Sequence, residues 1–124
     1  MSSQRAISSG RLTLEGKYTY ISPKIRDILG FEPEDIIGKT PFDLMIPDDA
    51  SRIAAEFSDY VKREAAFSGL VNANRHKNGA TVFIETGTAP FFSHDGAFAG
   101  YRWIDRDITL RKKAEDAQIG RAHV

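Results

Sequence analysis

Two dipeptides constrain this chain more than anything else in it. Asn78-Gly79 and Asp95-Gly96 each stand between segments in which apolar and polar residues alternate, "LVNANRH" before the first, "ATVFIETGTAPFF" between them and "AFAGYRWIDRDIT" after the second. Asn-Gly and Asp-Gly favour the two-residue turns whose twist matches that of paired strands, so the spacing predicts three consecutive strands in an antiparallel meander. A similar signal lies near the start. "RLTLEGKYTYIS" alternates on either side of Glu15-Gly16 and predicts a hairpin over 11–22.

Between the hairpin and the meander the pattern turns helical. Ser22-Pro23 offers an N-cap followed by proline at the first helical position, with Ile25, Ile28 and Leu29 on one face and Gly30 as the stop. Pro33 to Ile37 before Gly38, and Pro41 to Met45 before Pro47, repeat the device of proline opening and glycine or proline closing. "PDDASRIAAEFSDYVKREAAF" then places Ile53, Phe57 and Val61 at a spacing of four and predicts the one long helix. Strands gathered at both ends with helices between them imply an α+β domain, an antiparallel sheet covered by helices on one face. At 124 residues a single core is expected, burying roughly two thirds of the unfolded surface.

Composition excludes several chemistries. The chain has no cysteine, which removes disulfides, thiolate nucleophiles and Cys-ligated metal. Lys plus Arg and Asp plus Glu are both 17, so no net field draws the chain to nucleic acid or an anionic membrane surface. No apolar run approaches the ~18 residues of a membrane span. His76, His94 and His123 fall at hairpin ends or in the tail and are expected to be solvated. The carboxylate pairs Glu34-Asp35, Asp48-Asp49 and Glu115-Asp116 sit where capping and solubility explain them. No catalytic constellation or metal cluster assembles.

Several segments, in order, resemble the PAS (Per-Arnt-Sim) sensor domain family over about Arg11 to Gln118. "YISPKIRDILGFEPEDIIGKTPFDLMIPDD" is similar to the family's front half, "RHKNGATVFIE" to its central hairpin, and "GYRWIDRDITLRKKAED" to its closing PAC segment with the "DIT" signature. The resemblance implies a five-stranded antiparallel sheet in the order 2-1-5-4-3 with helices on one face. It divides the chain into a flexible lead-in (1–10), the sensor domain (11–109) and the start of an exit helix with a frayed tail (110–124). It further implies a cytoplasmic, non-enzymatic module of a larger signalling protein, such as a sensor histidine kinase of a two-component system or a cyclic-dinucleotide enzyme. A homodimer and a downstream effector domain in the same chain are the expected partners, with no nucleic acid and no direct membrane contact.

By analogy with the family's inward positions, a ligand-binding face is expected from Leu70, Asn72 and Asn74, from Ile84, Thr86 and Thr88, and from Tyr101, Trp103 and Asp105, with Phe57 and Val61 opposite on the long helix. A slip of one residue would turn every one of these side chains outward. Buried polar groups on that face require a partner, ligand or ordered water. Trp103 either fills the cavity, leaving a ligand-free dimerisation scaffold, or stacks on a planar ligand. Arg102 and Arg106 fall on the opposite face of the same strand and are expected to serve the dimer or linker side of the sheet, with plain solvated charge as the alternative; dimerisation is expected through that outer face or through the flanking helices. Haem-binding members of the family carry a histidine on the long helix, and light-sensing flavin members a cysteine; residues 50–67 contain no histidine and the chain no cysteine, so haem through such a histidine and flavin-cysteinyl photochemistry are not expected. A small polar or planar ligand, non-covalent flavin included, stays open. A small enzyme acting through Asp105 with Thr86 or Thr88 is the remaining alternative. Asp107, Ile108 and Thr109 match the signal-relay junction, with Thr109 the expected N-cap of a helix from Leu110 along which Leu110, Ala114 and Ala117 begin a heptad seam.

Overall fold

The structure is a computed structural model and describes residues 6–122. His123 and the first half of the expected lead-in therefore lie outside the described residues. Five strands form one sheet: β1 (Ile7–Leu12), β2 (Tyr18–Ile21), β3 (Phe67–Arg75), β4 (Thr81–Phe92) and β5 (Phe98–Asp107). Every neighbouring pair is antiparallel and the order is β2-β1-β5-β4-β3, as the resemblance implied. Helices α1 (Ile25–Leu29), α2 (Pro33–Ile36) and α3 (Pro47–Lys62), with a 3-10 turn at Pro41–Leu44, lie between β2 and β3, and α4 (Thr109–Ala122) follows β5.

The first strand begins at Ile7 rather than Arg11, so Ile7–Gly10 belong to the sheet and not to a lead-in. Their place is fixed by pairing with β5, Ile7 opposite Arg106 through Gly10 opposite Trp103. Ser22 does not cap α1. Its hydroxyl accepts the Ser9 N–H at 3.1 Å and lies 3.3 Å from the Ser8 hydroxyl, tying the hairpin together, while α1 starts three residues later at Ile25. Gly30 ends α1 with φ 79°, a left-handed conformation that a side chain would disfavour. The ring of His76 occupies the space beside Gly30, and its Nδ1 accepts the Asn78 N–H at 3.0 Å, so His76 is a packed hairpin residue rather than a solvated one; His94 is exposed.

The long helix ends at Lys62, earlier than the apolar pattern through Phe67 suggested. Glu64 turns the chain with φ 49°, and Phe67 opens β3, whose register shifts around Ser68-Gly69 before settling at Leu70 opposite Thr86. The start of α3 is tied to this strand. Asp49 accepts the Ala73 N–H at 2.6 Å and the Ile46 N–H reaches the Ala73 carbonyl at 3.0 Å. Asp49 thus covers part of the free edge of β3 instead of serving only the helix dipole, which leaves fewer unpaired backbone groups for another strand.

The core lies between the sheet and the helices. Ile25, Ile28, Leu29, Ile36, Ile53 and Phe57 from the helical side meet Leu12, Tyr18, Ile84, Tyr101 and Trp103 from the sheet. No helix of the described residues is long and apolar enough to cross a membrane.

Candidate functional site

The expected inward register holds for β3, β4 and β5. Asn72, Asn74, Ile84, Thr86, Thr88, Tyr101, Trp103 and Asp105 are all buried, Leu70 and Val61 are half-buried, and Phe57 is buried against them from α3. The two turns after β3 and β4 pin this alternation. Pairing then sets the order of groups across the face: Leu70 opposite Thr86, Thr86 opposite Asp105, Asp105 opposite Ser8.

The polar members of this face partner one another. Asn74 Nδ2 donates to Asn72 Oδ1 at 2.6 Å, Asn72 Nδ2 donates to Thr86 Oγ1 at 2.9 Å and to the Leu70 carbonyl at 3.1 Å, and Thr86 Oγ1 donates to Asp105 Oδ1 at 2.8 Å. Trp103 Nε1 reaches the same Asp105 oxygen at 3.1 Å. The run spans three strands and ends on a buried carboxyl. Partners that the sequence left to a ligand or a water are thus supplied largely from within. Thr88 stands apart, its hydroxyl donating to the Arg102 carbonyl at 2.7 Å, so it does not pair with Asp105.

Burial pushes the Asp105 carboxyl up to about 6, and the hydrogen bonds from Thr86 and Trp103 pull against that rise. Tyr18, a residue the sequence did not single out, belongs to the same interior. Burial first, and the charge of Asp105 second, hold its phenol well above the ordinary value. Among the described residues, nothing within hydrogen-bond distance partners the buried Tyr18 and Tyr101 hydroxyls. Simple alternation would place Tyr18 and Tyr20 on one face, but the register shift between Arg11 and Leu12 sends Tyr18 inward and leaves Tyr20 exposed.

Trp103 is 1% exposed and is ringed by aromatic edges: Phe57 at 5.5 Å, Phe42 at 6.3 Å and Phe67 at 6.4 Å between centroids, each close to perpendicular. Phe57 also meets Tyr101 at 5.0 Å. Such edge-to-face contacts are favourable, and they occupy the space in which a ligand would stack on the indole. Gly10, opposite Trp103 on β1, is part of the same packing, since a Cβ there would lie 2.8 Å from the Tyr18 ring. Among the described residues, no three histidine, aspartate or glutamate side chains gather as a metal site.

The junction after β5 differs from expectation in one contact. Thr109 does not cap α4; its hydroxyl accepts the Phe83 N–H at 3.0 Å, while the Ile108 N–H reaches the Phe83 carbonyl at 2.9 Å. The turn is made by Asp107, whose Oδ1 accepts the Thr109 N–H at 2.9 Å, and Ile108 is buried as a peg beneath it. The strand end is thereby latched to β4. From there α4 runs out with exposed side chains, Leu110 67% exposed and Ala114 and Ala117 exposed too. Its first turn touches the sheet through Arg111, which lies 3.9 Å from Glu85, and Lys112, 6.0 Å from the Phe83 ring centre.

Comparison with known proteins places this arrangement. The aryl hydrocarbon receptor nuclear translocator homolog of Drosophila melanogaster is 28% identical over 83 residues, 67% of this chain and 13% of its own length. Protein trachealess of the same organism is 24% identical over 76 residues, 61% of this chain and 7% of its own length. The chain therefore spans only a small part of these curated relatives. The crystal structure of the PAS domain of a protein from Colwellia psychrerythraea superposes with a TM-score of 0.74 at 24% identity, covering 84% of this chain and 87% of that one, a likeness of fold. A family model described as the PAS fold matches residues 10–113, and on that match, together with the sheet order and the helices that enclose its inner face, the chain belongs to the PAS-fold family.

Proposed function

We propose that the chain is a sensory or signal-relay module of a longer signalling protein, cytoplasmic and not itself an enzyme, which passes a ligand- or partner-induced change from the sheet through Asp107-Ile108-Thr109 into α4. The observation that carries this reading is the latch of Thr109 and Ile108 to Phe83, because a displacement of β4 or β5 then reaches the root of the exit helix without a loop to absorb it. Exposure of Leu110, Ala114 and Ala117 along α4 supports pairing with the same helix of a second copy, giving a homodimer. The sensor histidine kinase or cyclic-dinucleotide setting rests on the resemblance of the closing segment, and the effector would lie in the same chain.

In the native full-length protein, Asp107→Ala or two glycines inserted after Thr109 should uncouple output from signal while the domain stays folded. Normal signal-dependent output in both variants would overturn the relay. A second reading, a ligand-free scaffold, is supported by the aromatic edges that close around Trp103. Extraction of the purified protein followed by mass spectrometry separates the two, since a stoichiometric small molecule belongs to the sensor and its absence to the scaffold.

A further inference from the structure

The zero net charge of the chain conceals a segregation that appears once the strands are paired. The outer face of the sheet, away from the helices, carries Arg11 on β1, Arg102 and Arg106 on β5 and Arg75 on β3, and among the described residues its acidic side chain is Glu85. Glu85 is already engaged, with Arg106 at 3.3 Å and Arg111 at 3.9 Å. Arg11 and Arg102 stand directly opposite each other on neighbouring strands. Like charges in that position destabilise a sheet, and neither guanidinium has a carboxylate within ion-pair distance among the described residues. Arg11 instead lies 5.4 Å from the centre of the Phe91 ring. Exposed apolar side chains flank the pair: Ile104 is 47% exposed and Tyr20 50%. Together with Ser9 they line a shallow groove over β1 and β5.

We propose that this groove docks an acidic segment of a different protein, one that presents two carboxylates at i and i+2 on one face of an extended stretch and an apolar side chain between Ile104 and Tyr20. Carboxylates at that spacing match two arginines opposite each other on adjacent strands. The occupant is not a second copy on the same face, because a copy brings the same unpaired arginines and no free carboxylate. Nor does the face suit a nucleic acid, whose backbone calls for a longer run of cations than this pair with its apolar flanks. The docking face, centred on the middle of β5, shares no residue with the relay junction proposed above at Asp107-Ile108-Thr109.

The test uses the chain labelled with nitrogen-15 and titrated with a seven-residue serine peptide that carries glutamate at its second and fourth positions and leucine at its sixth, all three on one face when extended. The same peptide with lysine in place of glutamate, a duplex DNA and phosphatidylserine vesicles run alongside, and self-association is followed by sedimentation. Amide shifts should concentrate at Arg11, Arg102 and Ile104 with the acidic peptide, and fade as salt shortens the reach of the charges. Arg11→Glu with Arg102→Glu should weaken the peptide at least about tenfold, since like charges then face each other. Arg11→Gln with Arg102→Gln should weaken it less, and the Trp103 emission of both variants reports that they fold. Shifts elsewhere, equal shifts with the lysine peptide, tighter binding of DNA or vesicles through the same arginines, or a dimer formed through this face would each overturn the proposal.

Discussion

Asp105→Asn is the substitution from which the most follows. The folded carboxyl titrates near 6, against about 3.9 for an unperturbed aspartate. Between those values the unfolded chain has lost the proton and the folded chain keeps it, so the folded state binds more protons and stability falls as pH rises through that window. Below about pH 4 the contribution is fully present; above about pH 6 the protein must hold a buried carboxylate. Two units at about 1.4 kcal/mol each give roughly 3 kcal/mol of stability lost between pH 4 and pH 7 on account of this one group. Asparagine keeps an oxygen for the Thr86 hydroxyl and the Trp103 N–H, and it cannot ionise. Its amide group needs a new acceptor, which at low pH costs on the order of 1–3 kcal/mol if none is found. The difference between variant and parent, measured by urea unfolding at each pH, cancels the titration of every other carboxylate. Trp103 is the single tryptophan and donates to the mutated side chain, so its emission is a direct probe. The difference should move by about 3 kcal/mol in favour of asparagine from pH 4 to pH 7.5. A difference that stays within about 1 kcal/mol across that range would mean that Asp105 ionises as it does in water, and would refute the link between its burial and its proton.

Two further substitutions test the packing. Trp103→Ala should cost about 3–5 kcal/mol in chemical unfolding followed by circular dichroism, because the ring is fully enclosed by Phe42, Phe57 and Phe67; a loss under about 1 kcal/mol would mean that the cavity refills or that the ring was never buried. Gly100→Ala should destabilise by about 1–3 kcal/mol, since its Cβ would run into the Leu12 carbonyl on β1, backbone that has no rotamer with which to give way; an unchanged melting temperature would refute that close approach.

The inner face of β3, β4 and β5 was legible in the sequence because Asn78-Gly79 and Asp95-Gly96 fix both the strand ends and the phase of alternation, so Asn72, Thr86, Trp103 and Asp105 could be assigned to one side. At the other end of the sheet that logic failed. A register shift near Arg11 and Leu12 reverses the phase of β2, and with it the side on which Tyr18 lies. Alternation carries no mark of such a shift unless a glycine stands at it. Ser8 was missed for a different reason: "ISSG" has too few apolar residues to read as a strand, and it becomes one through its pairing with β5. Ser22, Asp49 and Thr109 all have side chains that suit a local cap, and each spends its oxygen on backbone distant in sequence: Ser9, Ala73 and Phe83. Local propensity ranks the cap first, and tertiary pairing overrides it where a strand edge or a hairpin needs an acceptor.

β5 brings these observations onto one element. Its inward residues, Tyr101, Trp103 and Asp105, hold the aromatic cluster and the end of the buried polar run; its outward residues, Arg102, Ile104 and Arg106, form the basic and apolar outer face; its end, Asp107-Ile108, is latched to β4 and starts α4. A strand has only two faces and two ends, so all of these places share one backbone, paired with β1 on one side and β4 on the other. Asp105 accepts from Thr86 of β4 and lies across from Ser8 of β1, and Arg102 is the residue next to Trp103 on the other face. The physical requirement for coupling is an element with two arrangements whose balance both sites bias. β5 meets the part of that requirement that a sequence can encode, by alternating the residues of the inner site with those of the outer one and ending in a junction with no glycine or proline to loosen it.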